Sequence, residues 1–437
     1  TGSYNVALGR DAGRGIVGGS NNVSIGSNAN DATNVTGNTA VGNFALSANT
    51  SNYNVAVGYD AALNNTSGTA VTAIGAYCLD ANTSGASNTG VGYSTLGACT
   101  TGSSNTAIGS YALDANTTAS NNTAVGTSAL GACTSGNQNT GVGKNALTTN
   151  TTGANNAAVG DRALESNTTG AKNTALGGVA LYANTTADNN TAVGYSALGA
   201  NTTGVSNVAL GAYALDALST GGYSIAIGVN ALTAATTSMS NTAVGHEALK
   251  ACTTGQRNVA VGTNTGNALV GGSDNTLLGR DAGLATSPSG AIVNGNHQVV
   301  LGDDDVTDLF CADTSISSSD SRDKADITDF TKGLEWINAL RPVTYKWDKR
   351  TWYGTPENPY GTPDGSKKKS KVNIGFLAQE VLAVEKANGY ADTNDNMLIC
   401  KLTEDEMRYG LKYERLVPVL VNAIKELSTK VTALEAA

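Results

Sequence analysis

The segment 319–324 brings a hydroxyl, a carboxylate, a guanidinium and an amine together in Ser319, Asp320, Arg322 and Lys324. A serine hydroxyl attacks a carbonyl only when a base removes its proton. Lys324 can be that base if burial or the neighbouring Arg322 disfavours its charged form. Ser319 would then attack the peptide carbonyl that precedes it, with backbone N–H groups holding the oxyanion. Asp320 and Arg322 would orient the turn.

A histidine cannot be the base in this part of the chain. The two histidines, His246 and His297, both precede residue 303, so a Ser-His triad is excluded after it. The segment 319–324 also has a plain alternative, because Ser and Asp commonly cap a helix or a turn without any cleavage. The residues alone leave both interpretations open.

Three of the six cysteines share one position of a repeat that runs through the first part of the chain. Cys99, Cys133 and Cys252 each follow a repeated glycine by seven residues, and asparagine fills this position in most repeats. Cys99 and Cys133 would lie roughly 9–10 Å apart at strand spacing, which is beyond disulfide reach within one chain. We therefore expect small buried side chains that replace Asn. Metal-ligand spacings are lacking, so we expect no metal site and no cofactor.

Charge and aromatic residues divide the chain near Gly302. Residues 1–302 carry 8 Lys/Arg, 12 Asp/Glu and no Trp, whereas residues 303–437 carry 18, 23 and all three Trp. The net charge of −9 divides into −4 and −5, so neither part offers a basic surface for nucleic acid. The basic run 367–371 is typical of a solvated loop. No run of 18 apolar residues occurs, so we expect no membrane insertion.

The phrase Asn-Thr-Ala-Val-Gly, or a close relative, recurs every 17 residues. Its closing glycine falls at every seventeenth position from Gly75 to Gly279, and four earlier copies deviate by one residue at most. A fixed short period indicates one unit stacked on itself, and 17 residues suit one turn of a β-solenoid or β-roll. We predict a strand at Thr-Ala-Val, a second β-like piece around the Leu that recurs from Leu113 to Leu249, and a corner at Asn-Thr-Thr-Gly.

The alternating strand phrase predicts how the coils assemble. Thr and Val should point to one face and Ala to the other. Each coil buries little apolar area, and about 25 cal/mol per Å² compensates poorly for ordering 17 residues. Because Ala and Gly let backbones approach closely, we expect three chains to pack along a common axis through the small-residue face. The result would be a trimeric shaft over residues 1–302, on the order of 80 Å long, followed by a neck over 303–318.

The repeats resemble the Asn-Thr-Ala-Val-Gly repeats of bacteriophage tail fibres. They are also similar to the β-rolls of trimeric autotransporter adhesin heads, although those have a shorter period. Repeats alone do not decide the function.

Four sequence blocks follow the Ser-Asp-x-Arg-x-Lys start, at 333–337, 340–347, 374–381 and 413–418. In this order they resemble the intramolecular chaperone domain of phage tailspikes and tail fibres, the endosialidase type of peptidase family S74. The resemblance covers residues 319–437 and predicts a mostly α-helical domain. It implies that this domain trimerises, templates the fibre ahead of it and cuts itself off between Ser318 and Ser319. Position 323 is Asp, where many members carry an apolar residue.

The end of the chain carries an apolar stripe at helical spacing. Its members are Leu420, Ile424, Leu427, Val431 and Leu434, spaced 4, 3, 4 and 3, which is an a/d pattern of about two heptads. It predicts a helix over about 416–435 that forms a short coiled coil in an oligomer, because so short a helix is marginal alone. The alternative is an ordinary amphipathic helix on the domain's own core.

These features predict a phage tail-fibre protein that attaches to the host and releases its C-terminal domain by one self-cleavage. We expect a homotrimer in the virion, synthesised in the host cytoplasm, with no turnover activity in the shaft. Its partners would be a host surface glycan or protein receptor and other tail proteins, reached through a part that precedes Thr1. The alternatives are a bacterial trimeric surface adhesin and a glycan-degrading tailspike, which needs an acid pair. The receptor-binding residues are not identifiable.

Overall fold

The computed structural model describes residues 2–31, 33–306, 324–355, 358–403 and 406–437, with residue 395 described by its backbone only. These residues form two compact units. The first comprises Thr1–Thr276 with Asn296–Gln298, and the second comprises Leu277–Gly295 with Val299–Ala437.

One three-residue strand recurs in each coil, and eighteen such strands lie within the described part of the repeat region. Their bounds are β1 (Val6–Leu8), β2 (Val23–Ile25), β3 (Thr39–Val41), β4 (Val55–Val57), β5 (Thr72–Ile74), β6 (Thr89–Val91), β7 (Thr106–Ile108), β8 (Thr123–Val125), β9 (Thr140–Val142), β10 (Ala157–Val159), β11 (Thr174–Leu176), β12 (Thr191–Val193), β13 (Val208–Leu210), β14 (Ile225–Ile227), β15 (Thr242–Val244), β16 (Val259–Val261), β17 (Thr276–Leu278) and β18 (Val299–Leu301).

Consecutive strands pair in parallel, each residue lying beside its equivalent in the next coil. Thr123 pairs with Thr140, Ala124 with Gly141 and Val125 with Val142, and the β1–β2 and β15–β16 pairs repeat this register. The predicted parallel β-solenoid with a 17-residue period is therefore confirmed.

The prediction of a second β-like piece is wrong. The segment around the recurring Leu forms a turn and not a strand. Leu113, Leu130 and Leu147 have φ angles of 52°, 53° and 55°, in the left-handed region. The same side chains are fully buried. The turn therefore places the Leu in the interior of each coil that carries it.

The middle residue of each strand points into the coil, and this corrects the expected packing face. The middle alanines, such as Ala107, Ala124 and Ala158, are fully buried within a single chain. The interior is narrow, since a Cβ on the middle residue Gly141 would lie 3.3 Å from Cγ of Leu130. Only a small residue fits opposite each Leu, so the Ala face is closed to a second chain.

The third residue of each strand points outward and forms an apolar row, which we call the strand stripe. Where its members are exposed, 36–67% of the residue surface is accessible. Within the first unit these exposed members are Leu8, Ile74, Ile108, Val159, Leu176, Leu210, Ile227 and Val261. The apolar surface available to another chain is thus the Val/Ile/Leu face.

Buried asparagine side chains form hydrogen bonds with backbone N–H and carbonyl groups that lie outside the strands. Asn122 Oδ1 accepts the N–H of Asn139 in the next coil at 2.8 Å, and Asn122 Nδ2 donates to the carbonyl of Gly136 at 2.9 Å. A second row lies at the corner, where Asn167 Nδ2 donates to Asn150 Oδ1 at 2.8 Å. Buried polar groups need such partners. These rows explain why Asn recurs at two fixed phases.

The closing glycines stack on each other from coil to coil. Gly143 has a φ of +134°, and a Cβ there would lie 2.3 Å from the carbonyl oxygen of Gly160. Both the backbone conformation and the close approach therefore require glycine. This double requirement explains the regularity of the glycine in the sequence.

The part after residue 323 is mixed in structure within its described residues. Three helices, α1 (Leu334–Ala339), α2 (Ala378–Ala387) and α3 (Leu416–Glu435), contain 36 residues. Two antiparallel pairs join β19 (Val343–Tyr345) to β20 (Asn373–Gly375) and β21 (Cys400–Leu402) to β22 (Tyr409–Leu411). Short 3-10 turns span Arg350–Tyr353, Asn394–Asn396 and Tyr413–Arg415. Helices are therefore fewer here than the sequence predicts.

The C-terminal helix α3 begins and ends close to the predicted bounds. Leu416, Val419 and Ala423 are buried, and Glu426 Oε2 accepts the N–H of Leu334 at the start of α1 at 3.3 Å. All five members of the predicted a/d stripe are instead exposed. The helix thus packs on its own domain by one face and leaves the heptad face without cover from the described residues of this chain.

Two adjacent glycines of the shaft provide a matched test of the stacking. In Gly177→Ala the new Cβ would lie 2.4 Å from the carbonyl oxygen of Gly194 at a φ of +142°, whereas in Gly178→Ala the nearest atom is 3.5 Å away. We expect the first to lower the free energy of unfolding by about 1–3 kcal/mol and the second to leave it nearly unchanged. Guanidinium unfolding followed by circular dichroism measures both, and equal midpoints would contradict the stacking account.

Candidate functional site

Most of the predicted cleavage segment lies outside the described residues. Ser318, Ser319, Asp320 and Arg322 belong to this group, and Lys324 is the first residue described after it. Lys324 is exposed to solvent. Lys324 can act as a base if burial disfavours its charged form. The described residues of this chain do not bury it.

The four sequence blocks that follow this segment in the chain meet in one scaffold. Trp336 from the first block packs in a core with Val381 of the third and Leu416 of the fourth. Arg341 from the second block pairs with Glu380 of the third, with Nε 3.2 Å from Oε2.

The third and fourth blocks are also joined directly. The hydroxyl of Tyr413 accepts the backbone N–H of Phe376 at 3.1 Å. Since every block contributes to one core or its rim, the order of blocks in the sequence reflects a single folded arrangement.

A buried carboxylate stabilises the start of β21 inside this scaffold. Glu385 on α2 is fully buried, and its Oε1 accepts the backbone N–H groups of Ile399 and Cys400. Burial, and then the charge of Glu385, raise the pKa of the Cys400 thiol to about 12. Cys400 therefore stays a neutral thiol, and the arrangement is structural.

An unexpected polar cluster joins the last coil to the segments around β19 and β22. Its centre is Asp304, whose side chain is only 6% exposed. Arg408 forms a bidentate pair with it, with Nη1 3.1 Å from Oδ1 and Nη2 3.0 Å from Oδ2. Lys349 Nζ lies 3.5 Å from Oδ1, and the Thr351 hydroxyl donates to Oδ2. We call Asp304, Lys349, Thr351 and Arg408 the junction cluster.

Aromatic rings surround the cations on one side of the junction cluster. The Lys349 amine lies 5.2 Å from the ring centre of Trp347, and the Arg408 guanidinium lies 5.5 Å from that of Tyr360. Lys369, from the basic run 367–371, lies 4.9 Å from the ring centre of Trp352. The run is exposed, as the sequence predicts, but it lies on an aromatic surface of its own domain.

No local sequence pattern predicts the junction cluster. From the sequence, the run Asp303-Asp304-Asp305 predicts only a neck after the repeats. The partners of Asp304 lie 45 to 104 residues further along the chain. The one available signal is that three acidic residues end the repeats just before a part rich in Lys, Arg and Trp.

The shaft cysteines behave as small side chains in the Asn row, as predicted. Cys99 Sγ lies 3.5 Å from the carbonyl oxygen of Gly102. In another coil, Nδ2 of Asn150 occupies the equivalent position and donates to the carbonyl oxygen of Gly153. Cys133 and Cys252 repeat this contact, and burial raises the pKa of all three thiols to about 11. Free and buried, they are packing residues.

Exposed tyrosines form a ladder along one edge of the shaft. Tyr59, Tyr77, Tyr93 and Tyr111 come from four consecutive coils, and their rings meet edge to face at centroid distances of 5.4–5.8 Å. Edge-to-face pairs are favourable contacts between aromatic rings. The ladder therefore contributes to coil stacking on the outer surface.

Two further site types are absent from the described residues. No group of three or more His, Cys, Asp or Glu side chains is placed to hold a metal ion there. In the same residues, no helix is both long and apolar enough to span a bilayer.

The comparisons with known proteins locate a family domain at the C-terminal part. Residues 319–390 match the family model Peptidase_S74, described as chaperone of endosialidase. No curated protein and no solved structure matches the chain. The family is one of autoproteolytic intramolecular chaperones of phage tail proteins, and it implies trimerisation. With the β-solenoid ahead of it, this domain fits a protein of tailspike or tail-fibre type.

The thiols of the described cysteines should resist modification in the folded protein. A pKa raised to about 11 or 12 leaves almost no thiolate at pH 8, and only thiolates react. In a Cys311→Ser variant, we expect a disulfide reagent to label no cysteine at pH 8 until denaturant is added. Fast labelling of native protein at one equivalent or more would contradict the buried position of these side chains.

Proposed function

We propose that this chain is a host-attachment fibre whose C-terminal domain trimerises, templates the shaft and cuts itself off between Ser318 and Ser319. The observation that carries the proposal is the family match, which begins at Ser319 itself and follows a solenoid of nearly identical coils. The shaft remains in the virion and contacts a host surface glycan or protein receptor.

The cleavage proceeds in two balanced steps. Ser319 Oγ attacks the carbonyl carbon of Ser318 while Lys324, as the neutral amine, takes the hydroxyl proton. The bond between the Ser318 carbon and the Ser319 nitrogen breaks, the lysine returns its proton to that nitrogen, and an ester joins the two fragments. Water then hydrolyses the ester, leaving a carboxylate on Ser318 and the restored hydroxyl on Ser319.

Assembly provides the condition that the single chain lacks. Lys324 is exposed in the isolated chain, so the described residues of the single chain do not remove its amine from water. Packing of three copies removes water from this segment and favours the neutral amine. Cleavage thereby follows trimerisation and does not precede it.

Two exposed apolar surfaces support the trimer. The a/d stripe of α3 is uncovered, with Ile424 66% and Leu427 52% exposed. The strand stripe lies on the outer surface along the shaft and, like the a/d stripe, consists of apolar side chains. Large contiguous apolar surfaces are typical of permanent interfaces between chains. We assign both to contacts among three copies.

Self-cleavage is tested by expressing the chain and its variants and measuring the fragment masses. Wild type is expected to yield fragments of 318 and 119 residues. Ser319→Ala and Lys324→Ala should remain whole, because one lacks the nucleophile and the other lacks the base. Lys368→Ala, in the exposed basic run, is the matched lysine control and should cleave like wild type. Cleavage that persists in Ser319→Ala would exclude the mechanism.

The trimer is tested in the uncut Ser319→Ala background by light scattering. The pair Ile424→Asn and Leu427→Asn places two amides on the a/d stripe and should convert the trimer to monomer. The pair Lys425→Asn and Ser428→Asn has the same spacing and the same new residues on another face, so it should stay trimeric. Equal masses for the two pairs would remove α3 from the trimer interface.

A further inference from the structure

The contacts of the junction cluster cross the proposed cleavage point. Asp304 lies before residue 318, whereas Lys349, Thr351 and Arg408 lie after it. Both sides belong to the same compact unit, which joins Leu277–Gly295 and Val299–Ala437. A cut at Ser318–Ser319 therefore breaks the chain without breaking any of these contacts.

We propose that the junction cluster keeps the C-terminal domain bound to the last coil after cleavage, with the Asp304 carboxylate as the anchor. The partner of the cut domain is thus the end of its own shaft. Release becomes a separate dissociation step, and its rate is set by this cluster. The inference rests on the proposed cleavage only for its timing, because the contact exists in the uncut chain.

The geometry of the anchor is that of a desolvated ion pair. The side chains of Asp304, Arg408 and Lys349 are 6%, 16% and 22% exposed. Arg408 meets both carboxylate oxygens, and the Lys349 amine also donates to the backbone carbonyl of Asp304 at 3.0 Å. Bidentate pairs of this kind are among the stronger polar contacts, and burial reduces their screening by salt.

Arg408 also completes the backbone of the last coil. Besides Asp304, its guanidinium donates to the carbonyl oxygens of Ala285 and Ser287. These carbonyls lie in the insertion between β17 and β18. One side chain of the C-terminal domain therefore satisfies four acceptor atoms of three residues on the shaft side of the cut.

The neighbouring aspartate has the opposite arrangement and supplies a control. Asp303 pairs with Arg280 at 2.6 Å, and both residues lie before the cut. Its side chain is 11% exposed, close to the value for Asp304. The two adjacent carboxylates thus differ in one respect that matters here, which is whether their partner belongs to the shaft or to the domain.

The test separates the contact from self-cleavage. In the Ser319→Ala background, a recognition site for a sequence-specific protease is placed between Ser317 and Ser318, and the whole chain is cut by that protease. Size-exclusion chromatography and a dilution time course then measure how fast the two fragments part. Asp304→Asn and Arg408→Gln are compared with Asp303→Asn and with the unsubstituted chain.

We expect the unsubstituted fragments to elute together, and Asp303→Asn to behave in the same way. Asp304→Asn and Arg408→Gln should each raise the dissociation rate about 30-fold or more, since each leaves a desolvated charge without its partner. Combining them should raise the rate by less than the product of the two single effects, because both remove the pair between Asp304 and Arg408. Immediate separation of the unsubstituted fragments, or equal rates for Asp304→Asn and Asp303→Asn, would overturn the proposal. Neither result depends on whether the chain cuts itself.

Discussion

The close stacking of identical coils is the constraint on which the rest of this molecule depends. Gly143 and its equivalents bring successive backbones so near that no side chain fits between them. Each strand therefore matches any other strand almost equally well, and a shift by one whole period loses only one coil of contacts. The last interval breaks the rule, since β17 and β18 begin 23 residues apart. A shaft of this kind needs its register fixed at an end.

The period and the strand positions could be predicted because stacking forces glycine and asparagine into fixed phases. Which face of the strand points into the coil could not be predicted, because the Thr-Ala-Val alternation fits equally well with either face inward. The space between the middle strand residue and the recurring Leu is too narrow for a large side chain, so volume outweighs hydrophobicity and Val points outward. A two-residue alternation carries no information about that cross-section. The helix α3 was predictable because its heptad spacing is independent of such volume limits.

The candidate site divides in the same way. The reactive pair Ser319 and Lys324 is recognised from local spacing and remains a prediction, while the exposed position of Lys324 reflects packing that no local pattern encodes. The junction cluster joins Asp304 to Arg408 across 104 residues. Its partners follow no periodicity, so only the folded chain reveals them. Reactive residues that are close in the sequence can be predicted from it, whereas polar contacts between distant residues cannot.

Under the proposed cleavage, a cut that leaves a strong contact in place would change the thermodynamics of release. Before the cut, the covalent connection would hold the domain at an effective concentration of roughly millimolar, so the junction cluster would re-form whenever it opens. After the cut, the same opening would become a dissociation that dilution makes permanent. The shaft would then be separated from the domain proposed to set its register. Its stability would be kinetic, set by the barrier to separating stacked coils. In this scheme, a domain needed once for folding is kept until the shaft is complete and is then lost without destabilising it.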